Sequence, residues 1–113
     1  MSFGCGIDLS FSRPDKELIQ GFAGLPTANI GDCMSRTAAV HSSIRPLNKP
    51  PMCAPAFTVR LPAGDNLFFH KAMDLAQPGD VIVIDAGGAM DRAIFGELMT
   101  NYCRLRGIAG IVV

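Results

Sequence analysis

The sequence has no excess of charge of either sign. Ten lysines and arginines balance ten aspartates and glutamates, and charged residues make up only 18% of the 113 residues. A chain without net charge has no long-range field to attract nucleic acid or an anionic membrane. The basic residues also form no stripe with interleaved aromatic residues. We therefore predict that the protein binds neither nucleic acid nor a membrane.

The sequence also lacks long apolar runs and closely spaced pairs of cysteines. No stretch approaches the roughly 20 apolar residues that cross a bilayer. The cysteines show no C-x-x-C spacing typical of metal ligands, and no leader with a basic start and an apolar middle precedes them. These features favour reduced cysteines in a soluble, cytoplasmic protein over a pair of disulfides. The four cysteines are Cys5, Cys33, Cys53 and Cys103.

Several catalytic and nucleotide-binding motifs are also absent. The chain contains no G-x-G-x-x-G, no P-loop and no G-x-S-x-G elbow, which argues against dinucleotide, nucleoside triphosphate and serine-hydrolase sites. His41 and His70 each stand alone, so both are predicted to be structural or surface residues. Asp32 and Asp85 are better placed, yet one carboxylate without a visible partner defines no acid–base pair.

Apolar residues, by contrast, are abundant. They make up 49% of a chain whose length fits one small domain. This leaves little polar surface for a domain of that size, and a buried subunit interface would explain the composition.

The amino-terminal half is predicted to hold an irregular arm and two short helices. Residues 1–13 show no period, and the domain core is expected over residues 14–113. Pro14 is suited to open a helix that ends at Gly24 and Pro26, and Thr27 to cap the next one. Residues 37–55 hold four prolines and are predicted to be a connection with at most one short strand, around Ile44.

Strands and helices alternate after this connection. Residues 56–61 alternate apolar and polar residues as a half-exposed strand does, and Asp65 or Asn66 is suited to cap the helix that follows. Pro78-Gly79 is typical of a type II turn, and the β-branched run from Val81 to Ile84 predicts a strand buried at the centre of the sheet. Residues 108–113 have the composition of another buried strand. This order implies right-handed crossovers and an α/β fold with an at least partly parallel sheet.

The junction after the central strand is the best candidate for a site, because parallel sheets bind ligands at the carboxyl ends of their strands. Gly87 and Gly88 leave this strand, either as a tight turn or as backbone that approaches an anion. Helical spacing predicts a helix over residues 91–106, with Leu98 and Met99 on its apolar face.

Gly96 complicates this helix, because glycine is unfavourable in a helix interior. As an alternative, the helix begins near Gly96, which leaves the N–H groups of Leu98 and Met99 free to bind an anion. From the pattern alone, Glu97 is more typical of a solvated surface residue than of a catalytic one.

Blocks of this sequence, taken in order, resemble the RraA-like family. The resemblance covers about residues 8–113, and its order and spacing are more specific than any one block. The blocks are TANIGD (27–32), APAFTV (54–59), GDNL (64–67), AQPGDVIVID (76–85), GELM (96–99) and RGIAGIVV (106–113).

The resemblance implies a swivelling β/β/α fold, truncated at its carboxyl end, in trimers or hexamers with active sites between subunits. It also implies a lyase of 2-oxo acids that uses Mg²⁺ or Mn²⁺ to cleave 4-hydroxy-4-methyl-2-oxoglutarate and to decarboxylate oxaloacetate. The alternative is a non-catalytic regulator that binds an endoribonuclease, as one branch of the family does.

The resemblance assigns roles to individual residues. Glu97 matches the family's acidic residue near the metal-bound water, and the N–H groups of Leu98 and Met99, beside Gly96, match those that hold the pyruvate carboxylate. Gly87 and Gly88 are expected to contribute to the same substrate site. The family's Arg-Asp pair, counted from Glu97, falls beyond Val113. We therefore expect no metal ligand within this chain, no tightly bound metal and no catalysis by the chain as given.

Overall fold

A three-stranded parallel sheet forms the centre of the structure. The computed structural model describes residues 6–113, and the order of its elements is α1 (Lys16–Phe22), α2 (Thr27–Cys33), β1 (Ala56–Arg60), α3 (Leu67–Leu75), β2 (Val81–Asp85), α4 (Glu97–Leu105) and β3 (Gly110–Val112). The strands lie in the order β1-β2-β3, and both neighbouring pairs are parallel. The predicted α/β class is confirmed, and the arrangement is compatible with an RraA-like fold.

Strand β2 lies between the other two strands, as its β-branched sequence predicts. Val81, Ile82 and Ile84 are buried, because branched side chains pack well on both faces of a covered strand. The turn before β2 is also confirmed. Gly79 has a φ of 90°, and the N–H of Asp80 donates to the carbonyl of Gln77 at 3.0 Å.

The hydrophobic core lies between the sheet and helices α3 and α4. Phe69 of α3 and Ile82 of β2 are both 0% exposed, and α3 contacts β1, β2 and α4. All buried residues of the described part of the chain lie between Phe57 and Cys103. Helices α1 and α2 contain no buried residue.

The predicted helix cap of α2 is wrong, whereas at α3 one of the two predicted candidates bonds the start of the helix. Pro26 occupies the cap position of α2, so Thr27 is the first helical residue and makes no capping hydrogen bond. At the start of α3, the carboxylate of Asp65 accepts the N–H of Leu67 at 2.7 Å, while the Asn66 side chain makes no cap. Residues around Ile44 form a turn and no strand.

Helix α4 begins at Glu97, so the longer helix predicted from residue 91 is wrong and the alternative start near Gly96 is confirmed. Ile94 is buried in the core, and the ring of Phe95 packs edge-on against Phe69 at 5.6 Å between ring centres. This packing holds the segment before Gly96 outside the helix. Leu98, expected on the apolar face, is 86% exposed.

Residues 6–13 of the amino-terminal arm form no helix or strand, and residues 1–5, including Cys5, lie outside the described residues. Arg13 connects the arm to the turn before β2 through an ion pair with Asp80. None of the helices in residues 6–113 has the length and apolar character needed to traverse a bilayer.

Candidate functional site

Two loops leave the carboxyl end of the sheet side by side. One connects β1 to α3 and the other connects β2 to α4, and the last residues of the strands, Arg60 and Asp85, are partners in the parallel register. The Arg60 guanidinium Nε lies 3.1 Å from a carboxylate oxygen of Asp85, and the N–H of Leu61 donates to the Asp85 carbonyl at 2.8 Å. These contacts bring the starts of α3 and α4 to one edge, where parallel sheets hold ligands.

Gly87 and Gly88 form the turn that leaves β2. Both are exposed and have positive φ values of 67° and 69°. The N–H of Gly87 donates to the carboxylate of Asp85 at 3.1 Å, so this N–H group is already engaged inside the turn. This bond, together with the one from Arg60, places the pKa of Asp85 below its ordinary value. The geometry fits a tight turn.

The first backbone N–H groups of α4 have no hydrogen-bond acceptor among residues 6–113. Gly96, at the cap position, is extended, with φ −137° and ψ −162°, and no side chain caps the helix. The first helical bond runs from the N–H of Thr100 to the carbonyl of Gly96 at 3.0 Å, so the N–H groups of Glu97, Leu98 and Met99 precede the hydrogen-bonded helix. Free N–H groups and the positive end of the helix dipole favour an anion here.

Glu97 is the first residue of α4 and is exposed to solvent. Within residues 6–113 its carboxylate makes no hydrogen bond and no ion pair. The main groove, of about 560 Å³, is lined by residues 6–8 of the arm, residues 57–62 and part of α3, and not by residues 96–99. Gly96, Glu97 and Leu98 are exposed in the single chain.

The described residues do not fit a complete metal centre. Among residues 6–113, no three His, Cys, Asp or Glu side chains lie close enough to hold a metal ion together. His41 and His70 are both exposed, and His41 contacts Ser43 through its Nδ1 atom at 2.9 Å. Asp32 pairs with Arg36 on the surface at 2.7 Å.

Sequence reasoning missed one residue that contacts this site. The amide nitrogen of the half-buried Asn66 donates to the carbonyl of Ile94 at 3.0 Å and lies 4.0 Å from the sulfur of Met99. Asn66 was predicted as a candidate cap for α3. No sequence signal distinguishes the two roles, because Asp65 and Asn66 are both suited to bond the start of α3. In the structure Asp65 accepts the Leu67 N–H, and the Asn66 side chain reaches the segment before α4.

Fold and site together define an α/β protein with an uncapped helix start at the carboxyl edge of a parallel sheet. The RraA-like family profile, described as Aldolase/RraA, matches residues 27–113. The chain belongs to the RraA-like family.

The chain is also similar to two named proteins. The chain is 43% identical over 103 residues to a protein of Halalkalibacterium halodurans named "Putative 4-hydroxy-4-methyl-2-oxoglutarate aldolase", an alignment that covers 90% of this chain and 49% of the relative. A protein of Ectopseudomonas mendocina with the same name is 39% identical over 49 residues, which is 43% of this chain and 30% of that protein. The chain thus spans about half the length of the first relative.

Proposed function

We propose that this chain is part of a lyase that acts on small 2-oxo acids. Its reactions are the cleavage of 4-hydroxy-4-methyl-2-oxoglutarate to pyruvate and the decarboxylation of oxaloacetate. The observation that carries the proposal is the start of α4, where Glu97 directly precedes the uncapped N–H groups of Leu98 and Met99. The names of the two relatives support the same substrate class.

The proposed cleavage is a retro-aldol reaction. The bond between C3 and C4 breaks, the hydroxyl on C4 loses its proton and becomes a carbonyl, and the bonding electrons move to C3 to give a pyruvate enolate. Protonation of C3 then gives a second pyruvate. In this scheme the N–H groups of Leu98 and Met99 hold the carboxylate beside the 2-oxo group, and Glu97 orients or deprotonates a water. Gly87 and Gly88 form the neighbouring wall of the substrate site.

A divalent cation, Mg²⁺ or Mn²⁺, would supply positive charge that stabilises the enolate. Because residues 6–113 offer no set of three metal ligands, we assign no metal-binding role to them. The 113 residues also contain no Arg-Asp dipeptide, which in the family supplies both a substrate-binding arginine and a metal ligand. We therefore expect no turnover from this chain alone.

Pyruvate release from both substrates, measured with Mg²⁺ by coupling to lactate dehydrogenase, tests the proposal. The assay compares this chain with the same chain continued by the carboxyl-terminal half of the Halalkalibacterium halodurans relative. We expect turnover only from the continued protein, and a large loss of kcat in its Glu97→Gln variant. The matched control is Glu17→Gln, which changes the other glutamate of the sequence, an exposed residue of α1. A folded, continued protein that releases no pyruvate from either substrate would contradict the proposal.

We also propose that the chains form a homo-oligomer in the cytoplasm. Leu98 and Leu105 of α4 are 86% and 87% exposed, and Leu18 of α1 is 58% exposed, which is unfavourable for apolar side chains in water.

The same exposed surface favours the alternative function, a regulator that binds an endoribonuclease. Undiminished capture of such an enzyme by Glu97→Gln, without any lyase activity in the parent, would support the regulator.

A further inference from the structure

The segment that leads into α4 makes three separate contacts with the rest of the fold. The Ile94 side chain lies in the core, the Phe95 ring packs on Phe69, and the Ile94 carbonyl accepts the Asn66 amide. The first two contacts are apolar and have little direction. The hydrogen bond is directional, so it fixes the rotation of the backbone just before Gly96.

We propose that Asn66 is a positioning residue, which orients the start of α4 so that the N–H groups of Leu98 and Met99 point at the substrate carboxylate. The inference rests on the proposed function, because the carboxylate is the ligand it assigns to these groups. Asn66 reaches them by two routes. Its amide nitrogen bonds the carbonyl two residues before the cap, and it lies 4.0 Å from the sulfur of Met99 itself.

The side chain is available for this role because its own helix does not need it. Asparagine is a favoured N-cap residue, yet Asn66 makes no cap, and Asp65 accepts the N–H of Leu67 instead. Asn66 therefore connects two helices that start at the same edge of the sheet. If its amide is removed, the Ile94 carbonyl loses its donor, and the first turn of α4 becomes free to rotate and fray.

The N–H groups contact the same part of the molecule in the bound substrate and in the enolate. The carboxylate beside the 2-oxo group is present in the substrate and in the enolate alike, so loosening its site weakens both states equally. Such a change raises KM and leaves kcat nearly unchanged. Loss of one well-placed hydrogen bond in this position corresponds to about a tenfold weaker affinity.

Nuclear magnetic resonance on the ¹⁵N-labelled, continued protein provides the test, with pyruvate in the presence of Mg²⁺ as the probe. The variants are Asn66→Ala and Asn66→Asp, the second of which keeps the shape and the capping preference of asparagine but lacks its N–H donor. The control is Asn101→Ala, at an exposed asparagine in the middle of α4. Two quantities are measured, the pyruvate Kd from the Leu98 and Met99 amide shifts, and the hydrogen exchange of individual N–H groups in α4.

We expect the Thr100 N–H, which bonds to the Gly96 carbonyl, to exchange about tenfold faster in both Asn66 variants. The Arg106 N–H, which bonds to the Tyr102 carbonyl at the other end of α4, should keep its wild-type rate. The pyruvate Kd should rise about tenfold in the same variants and stay unchanged in Asn101→Ala. In the continued, active protein, KM for oxaloacetate should rise by a similar factor, with kcat within about twofold of wild type.

Each other outcome has a distinct meaning. Unchanged hydrogen exchange of the Thr100 N–H in both Asn66 variants would overturn the inference. Equally faster exchange of the Thr100 and Arg106 N–H groups would also overturn it, because a purely structural loss loosens the whole helix. A continued wild-type protein whose Leu98 and Met99 amides do not respond to pyruvate would contradict the proposed function. In that case the Thr100 to Arg106 exchange ratio still decides whether Asn66 orients α4.

Discussion

Arg13 and Asp80 form a bidentate ion pair between the amino-terminal arm and the turn that precedes the central strand. The guanidinium Nε lies 2.9 Å from one carboxylate oxygen and Nη2 lies 2.6 Å from the other, and the Asp80 side chain is only 2% exposed. The same guanidinium lies over the rings of Phe11 and Phe57. One arginine therefore attaches the arm to both the turn and β1.

Removal of this arginine should destabilise the protein strongly. Arg13→Ala leaves the Asp80 carboxylate buried without its partner charge, and we expect a loss of about 3 kcal/mol in the free energy of unfolding. Urea unfolding measures this quantity. The control is Arg36→Ala, which breaks an ion pair with Asp32 on the surface and should leave the unfolding free energy nearly unchanged. Equal effects of the two substitutions would contradict the role given to Arg13.

The same ion pair predicts sensitivity to acid. Burial raises the pKa of the Asp80 carboxyl, but the hydrogen bonds from Arg13 and from the Gln77 N–H lower it by more, so its pKa lies below the ordinary value of 3.8. A folded-state pKa below the unfolded one adds stability above the unfolded pKa, and this stability is lost as the pH falls through the folded pKa.

We therefore expect the unfolding free energy of the wild type to fall as the pH drops below about 4, and Asp80→Asn to lack this part of the fall. Urea unfolding at a series of pH values measures both slopes. Parallel curves for the wild type and Asp80→Asn would show that other carboxylates account for the acid sensitivity.

Local sequence patterns were sufficient for the sheet but not for the start of α4. Every residue from Val81 to Ile84 is β-branched, so the side chains alone favour a buried strand. Ile94 and Phe95, by contrast, have helical spacing, and they are excluded from α4 because Phe95 packs on Phe69 of another helix. A contact between residues far apart in sequence cannot be predicted from a local pattern.

The candidate site was also predictable only where a local pattern indicates it. Gly96 carries a local signal, because glycine is unfavourable inside a helix and suits its boundary. Asn66 carries none, because asparagine before a helix is equally typical of a cap, and only the folded chain brings its amide to Ile94. The pairing of Arg13 with Asp80 also joins segments that are far apart in sequence.

Gly107 ends α4 and should tolerate substitution poorly. Its φ is 74°, and an added Cβ would lie 3.2 Å from Cβ of Pro78, whose ring has no freedom to move aside. Gly24 has a similar φ of 81° but open space around it, so Gly24→Ala measures backbone strain alone. We expect Gly24→Ala to cost about 1 kcal/mol and Gly107→Ala clearly more, as measured by urea unfolding. Equal losses would show that the Pro78 contact relaxes without cost.

The cysteines should differ in their reactivity. Cys33 and Cys53 are exposed, whereas Cys103 is 3% exposed, and burial raises its pKa despite the opposing effect of Arg106. Alkylation of the native protein with iodoacetamide near neutral pH should therefore modify Cys33 and Cys53 first and Cys103 only after unfolding. Peptide mass spectrometry follows each site, and a Cys5→Ser background removes the cysteine that lies outside the described residues. Early modification of Cys103 would contradict its burial.

Tyr102 connects α4 to the end of α3 and provides a spectroscopic test of this contact. Its hydroxyl donates to the carboxylate of Asp74 at 2.7 Å, and this bond is the main reason that its pKa lies above the ordinary value of 10.0. Burial adds to the rise, and the nearby Arg106, which also donates to the Asp74 carbonyl, opposes it. Because Tyr102 is the single tyrosine of the sequence, ultraviolet absorbance of tyrosinate reports on it alone.

Alkaline titration should therefore show ionisation of Tyr102 above pH 10 in the wild type and at a lower pH in Asp74→Asn, where the acceptor is no longer an anion. Asp91→Asn serves as the control, since Asp91 is an exposed aspartate that contacts only Arg92 among the described ion pairs. A Tyr102 titration midpoint that is the same in all three proteins would show that the hydroxyl and the Asp74 carboxylate are separated by water in solution. In that case the contact between the end of α3 and α4 would depend on Arg106, whose guanidinium also donates to the carbonyl of Ala76 at 3.2 Å.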